Sequence, residues 1–232
     1  MRSLALSALA AMACGCANVN YETTRAGTFT GEVAVVWLRG TDKEGDGTFV
    51  YVPTEAKPLT FTRPDKTTVI QPTMIYTDGG SVPSLARAFR GLTPWNYGPA
   101  YIVHDWLFRA KQCWEDGKKR PKYAVVADMS FAESAMIIAE SIHALHDSKR
   151  VRNDDISGAV VTAAVTSPIS YRRWTQKGAC EEVSDAHRRM ALEAVGRDPE
   201  LGSRSKVRTL RGREDGPPEP TQAVVVAITS FD

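Results

Sequence analysis

The feature that most constrains the fold is a change of pattern near residue 77. Before it, Phe29 to Leu38, Gly47 to Val52 and Leu59 to Thr62 are rich in β-branched and aromatic residues and bounded by turn residues, and Val69-Ile70 and Met74-Ile75-Tyr76 are shorter runs of the same kind. Such runs read as strands. After it the signals are helical. Ser81 as a cap with Pro83 in the first turn predicts a helix through Phe89, and Pro99 opens a second that runs to Cys113. A long helix is predicted from about Tyr123 to His146. Another runs from Asn153, with its acidic start Asn153-Asp154-Asp155, to about Thr166, where Pro168 ends it; the last spans about Glu181 to Val195 and stops at Gly196. The class predicted is α+β, a small antiparallel β-sheet on the N-terminal side packed against a helical C-terminal half. Val224-Val-Val-Ala-Ile228, within residues 222 to 229, is a terminal strand able to pair with that front sheet.

The N-terminus bears on location. Arg2 precedes the apolar run Leu4 to Ala13, which is followed by Cys14-Gly15-Cys16-Ala17-Asn18. A short charged region, an apolar region too short to span a membrane, and small residues before a cysteine together form a secretory signal. The arrangement resembles a bacterial lipoprotein signal, in which the cysteine after a small residue is lipidated. Cys16 fits better than Cys14, and an ordinary cleaved signal peptide is the alternative. The expected organisation is a signal over residues 1–15, a linker over 16–28, a single domain over 29–196, a flexible basic and Pro-rich tail over 197–220, and a terminal strand or tail over 221–232. The partner implied is a membrane, reached through a lipid anchor from the periplasmic side of a cell envelope. Ala17 in place of an aspartate suggests outer-membrane sorting in a Gram-negative source. A formal charge of +2 argues against a dedicated nucleic-acid binder.

Removal of residues 1–15 leaves Cys113 and Cys180 beside Cys16. In an oxidising compartment they form either a disulfide or two free thiols, and the sequence leaves both open. No Cys-x-x-Cys or paired-His spacing points to structural zinc.

Chemistry is concentrated at His104-Asp105, which sits inside the apolar stretch Tyr101-Ile-Val-His-Asp-Trp-Leu-Phe108. An unpartnered polar group in such surroundings costs roughly 2–7 kcal/mol, so the pair must be compensated or used. Neighbouring helical positions point about 100° apart, so the two side chains serve one site in different roles instead of chelating one ion side by side. The structural alternative is a core histidine bonded to a carboxylate.

Three segments then fall in order: Thr77-Asp78-Gly79-Gly80-Ser81-Val82-Pro83, Ala100 to Arg109 with His104-Asp105 at its centre, and Ala127-Asp128. This resembles a phage and bacterial family known as domain of unknown function 1353, whose members carry Thr-Asp-x-x-Ser-Val/Ile-Pro, then His-Asp-x-x-Tyr-Arg, then Ala-Asp on the following helix. The resemblance spans roughly residues 29–142. Phe108 stands where the family has Tyr, and the Arg that precedes Ala-Asp in the family has no match near Val125. The family carries no established activity, so the resemblance implies a domain and a site more than a reaction.

Asp78 lies beside Gly79 and Gly80, where the backbone can turn sharply and present amides or carbonyls, and Asp128 stands among apolar neighbours in Ala124-Val-Val-Ala-Asp-Met129. A carboxylate accepting the second N–H of His104 would orient it as a general base, and the others would suit an oxygen-loving cation such as calcium. Secreted phospholipases A2 have a comparable order of parts, with a Gly-rich loop, a His-Asp helix and a distant Asp on the next helix. Two classes of function follow. One is a non-enzymatic envelope lipoprotein whose His-Asp cluster fixes the fold or a binding surface. The other is a metal-assisted hydrolase of a lipid ester or cell-wall bond, with His104 as base, Asp128 as its orienter, Asp78 and Asp105 as metal or substrate ligands, and Gly79, Gly80 and Ser81 as the loop. His143 and His146, three apart on the long helix, are expected to face solvent, and His187 is assigned no role.

Overall fold

A computed structural model describes residues 19–39, 47–77, 97–149, 151, 161–196 and 223–231. The protein is α+β, with antiparallel sheets in the N-terminal half and helices in the C-terminal half. The strands are β1 (Thr28–Thr30), β2 (Glu32–Leu38), β3 (Thr48–Val52), β4 (Thr60–Thr62), β5 (Val69–Ile70), β6 (Ile75–Thr77) and β7 (Ala223–Ser230), and the helices are α1 (Gly98–Glu115), α2 (Phe131–Asp147), α3 (Pro168–Trp174) and α4 (Asp185–Gly196). Short 3-10 turns lie at Tyr21–Thr23 and Pro121–Val126.

There are two sheets where the strand pattern suggests one. The first has the order β1-β4-β5, the second β6-β3-β2-β7, and the pairings within both are antiparallel. The run from Phe29 to Leu38 is split at Gly31, which has φ +89° and where a Cβ would collide with the Pro58 carbonyl. Only glycine turns the chain there without strain. The chain thereby leaves the first sheet and enters the second within one residue.

β2 is buried along nearly its whole length because both faces of its sheet are covered. Val33 and Val35, with Tyr51 and Ile75, face the main core against α1 and α2. Val36 and Leu38, with Val50 and Val52, face Val183 and Ala191 of the α4 region. β7 pairs with β2 from Glu32↔Ser230 to Leu38↔Ala223, with a register shift at Val35/Val36.

α1 has Pro99 in its first turn and ends at Asp116 and Gly117, the latter with φ +89°. α2 does not begin near Tyr123. Ser130 and Glu133 form a capping box, the Ser130 hydroxyl accepting from Glu133 N at 3.1 Å and the Glu133 carboxylate from Ser130 N at 2.8 Å, so the helix starts at Phe131. Asp128 consequently lies in the bend before the helix and not on it. α3, which the sequence reading did not include, starts where Pro168 had been expected only to end a helix. Ser167 caps it, its hydroxyl accepting from Ser170 N. Residues 161–165 are helical. α4 starts at Asp185 and not near Glu181, because Arg109 and the neighbouring disulfide hold residues 179–181 in a non-helical path. The expected helix at Ser81–Phe89, the start of the one at Asn153 and the tail at 197–220 lie outside the described residues.

The stretch expected as a linker is in part packed. Tyr21 is a core residue and Val19 lies against the same cluster. Cys113 and Cys180 are bonded, joining the end of α1 to the segment before α4. Among the described residues no helix is long and apolar enough to cross a membrane.

Candidate functional site

The site is built on the first half of α1. Ala100, Ile102, Val103, Trp106 and Leu107 are buried, so the helix is wedged into the core and its polar residues are carried with it. Trp106 Nε1 donates to Thr73 Oγ1 at 2.9 Å, which fixes the approach of β6 to the helix. At the end of that strand Thr77 Oγ1 donates to Asp105 Oδ2 at 2.9 Å. The first residue of the Thr77–Pro83 segment therefore touches the second residue of the His104-Asp105 pair. Asp78, Gly79, Gly80 and Ser81 lie outside the described residues, as does Cys16.

His104 is 9% exposed, and among the described residues its Nε2 has no hydrogen-bond partner. Its ring packs on Phe108 with centroids 4.6 Å apart, and Phe108 in turn meets Trp174 at 5.1 Å. Burial in these aromatic surroundings pushes the His104 pKa down to about 4, so the ring is neutral at neutral pH. Phe108, where the resemblance leads one to expect Tyr, supplies ring area to the histidine but no hydroxyl. Tyr101, one turn before His104, has its pKa raised, first by burial and then by Tyr97 and Asp105.

Asp128 is exposed, and among the described residues it forms no hydrogen bond or ion pair with His104 or with Arg109. Lys111 Nζ holds the preceding carbonyl of Ala127 at 2.9 Å, which anchors the bend to α1. Arg109 is engaged elsewhere, donating to Ala179 O at 2.7 Å and to Glu181 Oε2 at 2.7 Å. Among the described residues no group of three or more His, Cys, Asp or Glu side chains is placed to hold a metal ion.

Residues 54–153 match the model of the family described as Protein of unknown function (DUF1353). The match supports assigning this stretch to that domain family. It starts and ends later than the expected 29–142, so the DUF1353 stretch holds β4 to β6, α1 and α2, while β1 to β3 lie before it. It contains both Thr77 and the His104-Asp105 pair, so their contact is internal to the DUF1353 stretch. Comparison with curated proteins and with solved structures returns no match.

A second polar cluster went unrecognised in the sequence. His146 Nε2 lies 3.1 Å from the Tyr97 hydroxyl and its Nδ1 3.3 Å from the Tyr21 hydroxyl. His143 Nε2 donates to the Tyr21 carbonyl at 2.8 Å, and its ring stacks on Tyr21 with centroids 4.2 Å apart. The expectation that these histidines face solvent is thus corrected: both are half-buried and bind the N-terminal segment. Their i, i+3 spacing was the available signal, but their partners are more than 120 and about 50 residues away in the chain. His187, assigned no role, lies with Nδ1 2.8 Å from the Tyr76 hydroxyl.

Proposed function

We propose that this chain is a lipid-anchored protein of the cell envelope whose DUF1353 stretch is a binding or structural unit, with the Thr77–Asp105 contact and the buried His104 shaping it instead of performing hydrolysis. The observation that carries the reading is the surroundings of His104. A histidine base works best with a pKa near the working pH and a partner that holds its tautomer. Here burial lowers the pKa to about 4, Asp128 is exposed, and Asp105 is bound by Thr77. Anchoring through Cys16, and an outer-membrane destination in a Gram-negative cell, rest on the signal-like Arg2 to Ala17.

The test measures release of fatty acid from phospholipid vesicles and of fragments from purified cell wall, with calcium supplied, for the wild type and for His104→Ala. No His104-dependent turnover is expected. Turnover that disappears in His104→Ala would overturn the reading. One observation favours the hydrolase as a second reading: a buried Nε2 without a partner among the described residues can be completed by a water or a substrate. In that case His104 is the base, Asp105 and Asp78 hold a divalent cation such as calcium or the substrate, and Gly79, Gly80 and Ser81 form the loop beside them.

A further inference from the structure

Two observations about the N-terminal segment combine into a geometric constraint. Val19 packs on the main core, and Tyr21, 5% exposed, is held by stacking on His143 and by its hydroxyl and carbonyl contacts to His146 and His143. The Tyr21–Thr23 turn is itself secured, with Asn20 Oδ1 accepting from Glu22 N and Thr24 N donating to Tyr21 O. The domain therefore begins, as a packed body, three residues after Cys16. Three extended residues reach at most about 11 Å.

The place where Tyr21 is held is one end of the helix pair. α1 and α2 run antiparallel, because Tyr97 before α1 meets His146 near the end of α2, while Lys111 near the end of α1 holds Ala127 before α2. One pole thus carries Tyr21, Tyr97, His146 and Asp147. The other carries Pro121–Val126 and the Cys113–Cys180 bond. At 1.5 Å per residue the poles are about 25 Å apart.

We infer that the pole bearing Tyr21 and the end of α2 is a membrane-apposed surface, held against the lipid headgroups by an anchor on Cys16, with the disulfide pole pointing away from the bilayer. This rests on the lipid-anchor reading above. Among the described residues the exposed charges beside the pole are of both signs, Glu22 and Asp147 with Arg25 and Lys149. On this inference apposition is set by the short tether from Cys16 to the packed Val19 and Tyr21, and it holds at high salt and on either headgroup charge.

The test uses the full lipidated chain in vesicles containing headgroup-nitroxide lipid, with a fluorophore on Asp147→Cys or, at the opposite pole, on Ala124→Cys. Both positions are exposed, and acyl labelling of Cys16 is followed in the same samples. Quenching several-fold stronger at 147 than at 124, unchanged between zwitterionic and anionic vesicles and at high salt, is the expected result. A flexible twelve-residue insertion between Asn18 and Val19 should abolish the difference while acyl labelling persists. Equal or reversed quenching in acylated protein overturns the orientation and leaves the anchor standing. A difference that survives the insertion shows that the tether does not set the orientation, and it also overturns the inference. Absence of acyl label at Cys16 overturns the anchor and this inference with it.

Discussion

The Thr77 hydroxyl donates to Asp105 Oδ2 at 2.9 Å, and through that bond the end of β6 is fixed to the helical turn that carries His104. Two segments 28 positions apart in the chain are thereby made into one local structure. A hydrogen bond to a charged acceptor contributes about 1.5–3 kcal/mol. Thr77→Val and Asp105→Asn should each lower stability by about that amount, and the double variant should lose markedly less than the sum. Urea denaturation of the four proteins measures this, and additive losses would show that the bond contributes nothing.

His104 makes stability depend on acid. Its pKa is about 4 in the folded protein against 6.5 unfolded. Between those values the unfolded chain carries a proton that the folded chain does not, so stability falls as pH drops from 6.5 towards 4 and the effect levels off below. The loss is on the order of 3 kcal/mol. His104→Leu removes both the titration and a buried nitrogen that has no hydrogen-bond partner among the described residues, so it should flatten this part of the pH profile without destabilising the protein at pH 7. A variant that keeps the wild-type acid slope would place the cause in another group.

Arg63 and Glu140 form a two-pronged pair, Nε to Oε2 and Nη2 to Oε1, both at 2.9 Å, with side chains only 13% and 6% exposed. It ties the end of β4 to the middle of α2. Removing one partner leaves a nearly buried charge, and Glu140→Ala should cost about 3–5 kcal/mol. Arg63→Met combined with Glu140→Leu should recover most of that. Chemical denaturation midpoints decide the matter, and a double variant no better than Glu140→Ala would refute it.

The Cys113–Cys180 bond closes a loop of sequence separation 67. In the chain-entropy description a loop of that size is worth about 4 kcal/mol. Cys113→Ala with Cys180→Ala should therefore unfold at a much lower denaturant concentration. An unchanged midpoint would mean that the Asp116 carboxylate, which accepts from Gly178 N at 2.7 Å and Cys180 N at 2.9 Å, already holds this segment.

What was legible in the sequence was periodic or chemically marked. β-branched runs located the strands, the Gly- and Pro-free stretch after Pro99 located α1, and Val224 to Ile228 announced a strand that does pair with the front of the chain. What was not legible depended on single residues or distant partners. Gly31 divides one apparent strand between two sheets, and Ser130 with Glu133 moves the start of α2 past Asp128. The latter shift leaves Asp128 exposed in the bend before the helix and not on it. The Tyr21, Tyr97, His143 and His146 cluster draws on three separate segments, so no local pattern could assemble it.

The place of β7 has a consequence for how the chain is made. β2, whose residues are almost all buried, is flanked on one side by β3 and on the other by a strand that ends at Ser230. Until residues 223–230 emerge from the ribosome, β2 presents an apolar edge with unanswered amides and carbonyls, the kind of edge that recruits strands from other chains. Completion of the sheet waits for a strand made long after β2. A chain cut short before residue 223 is left with an edge prone to aggregation.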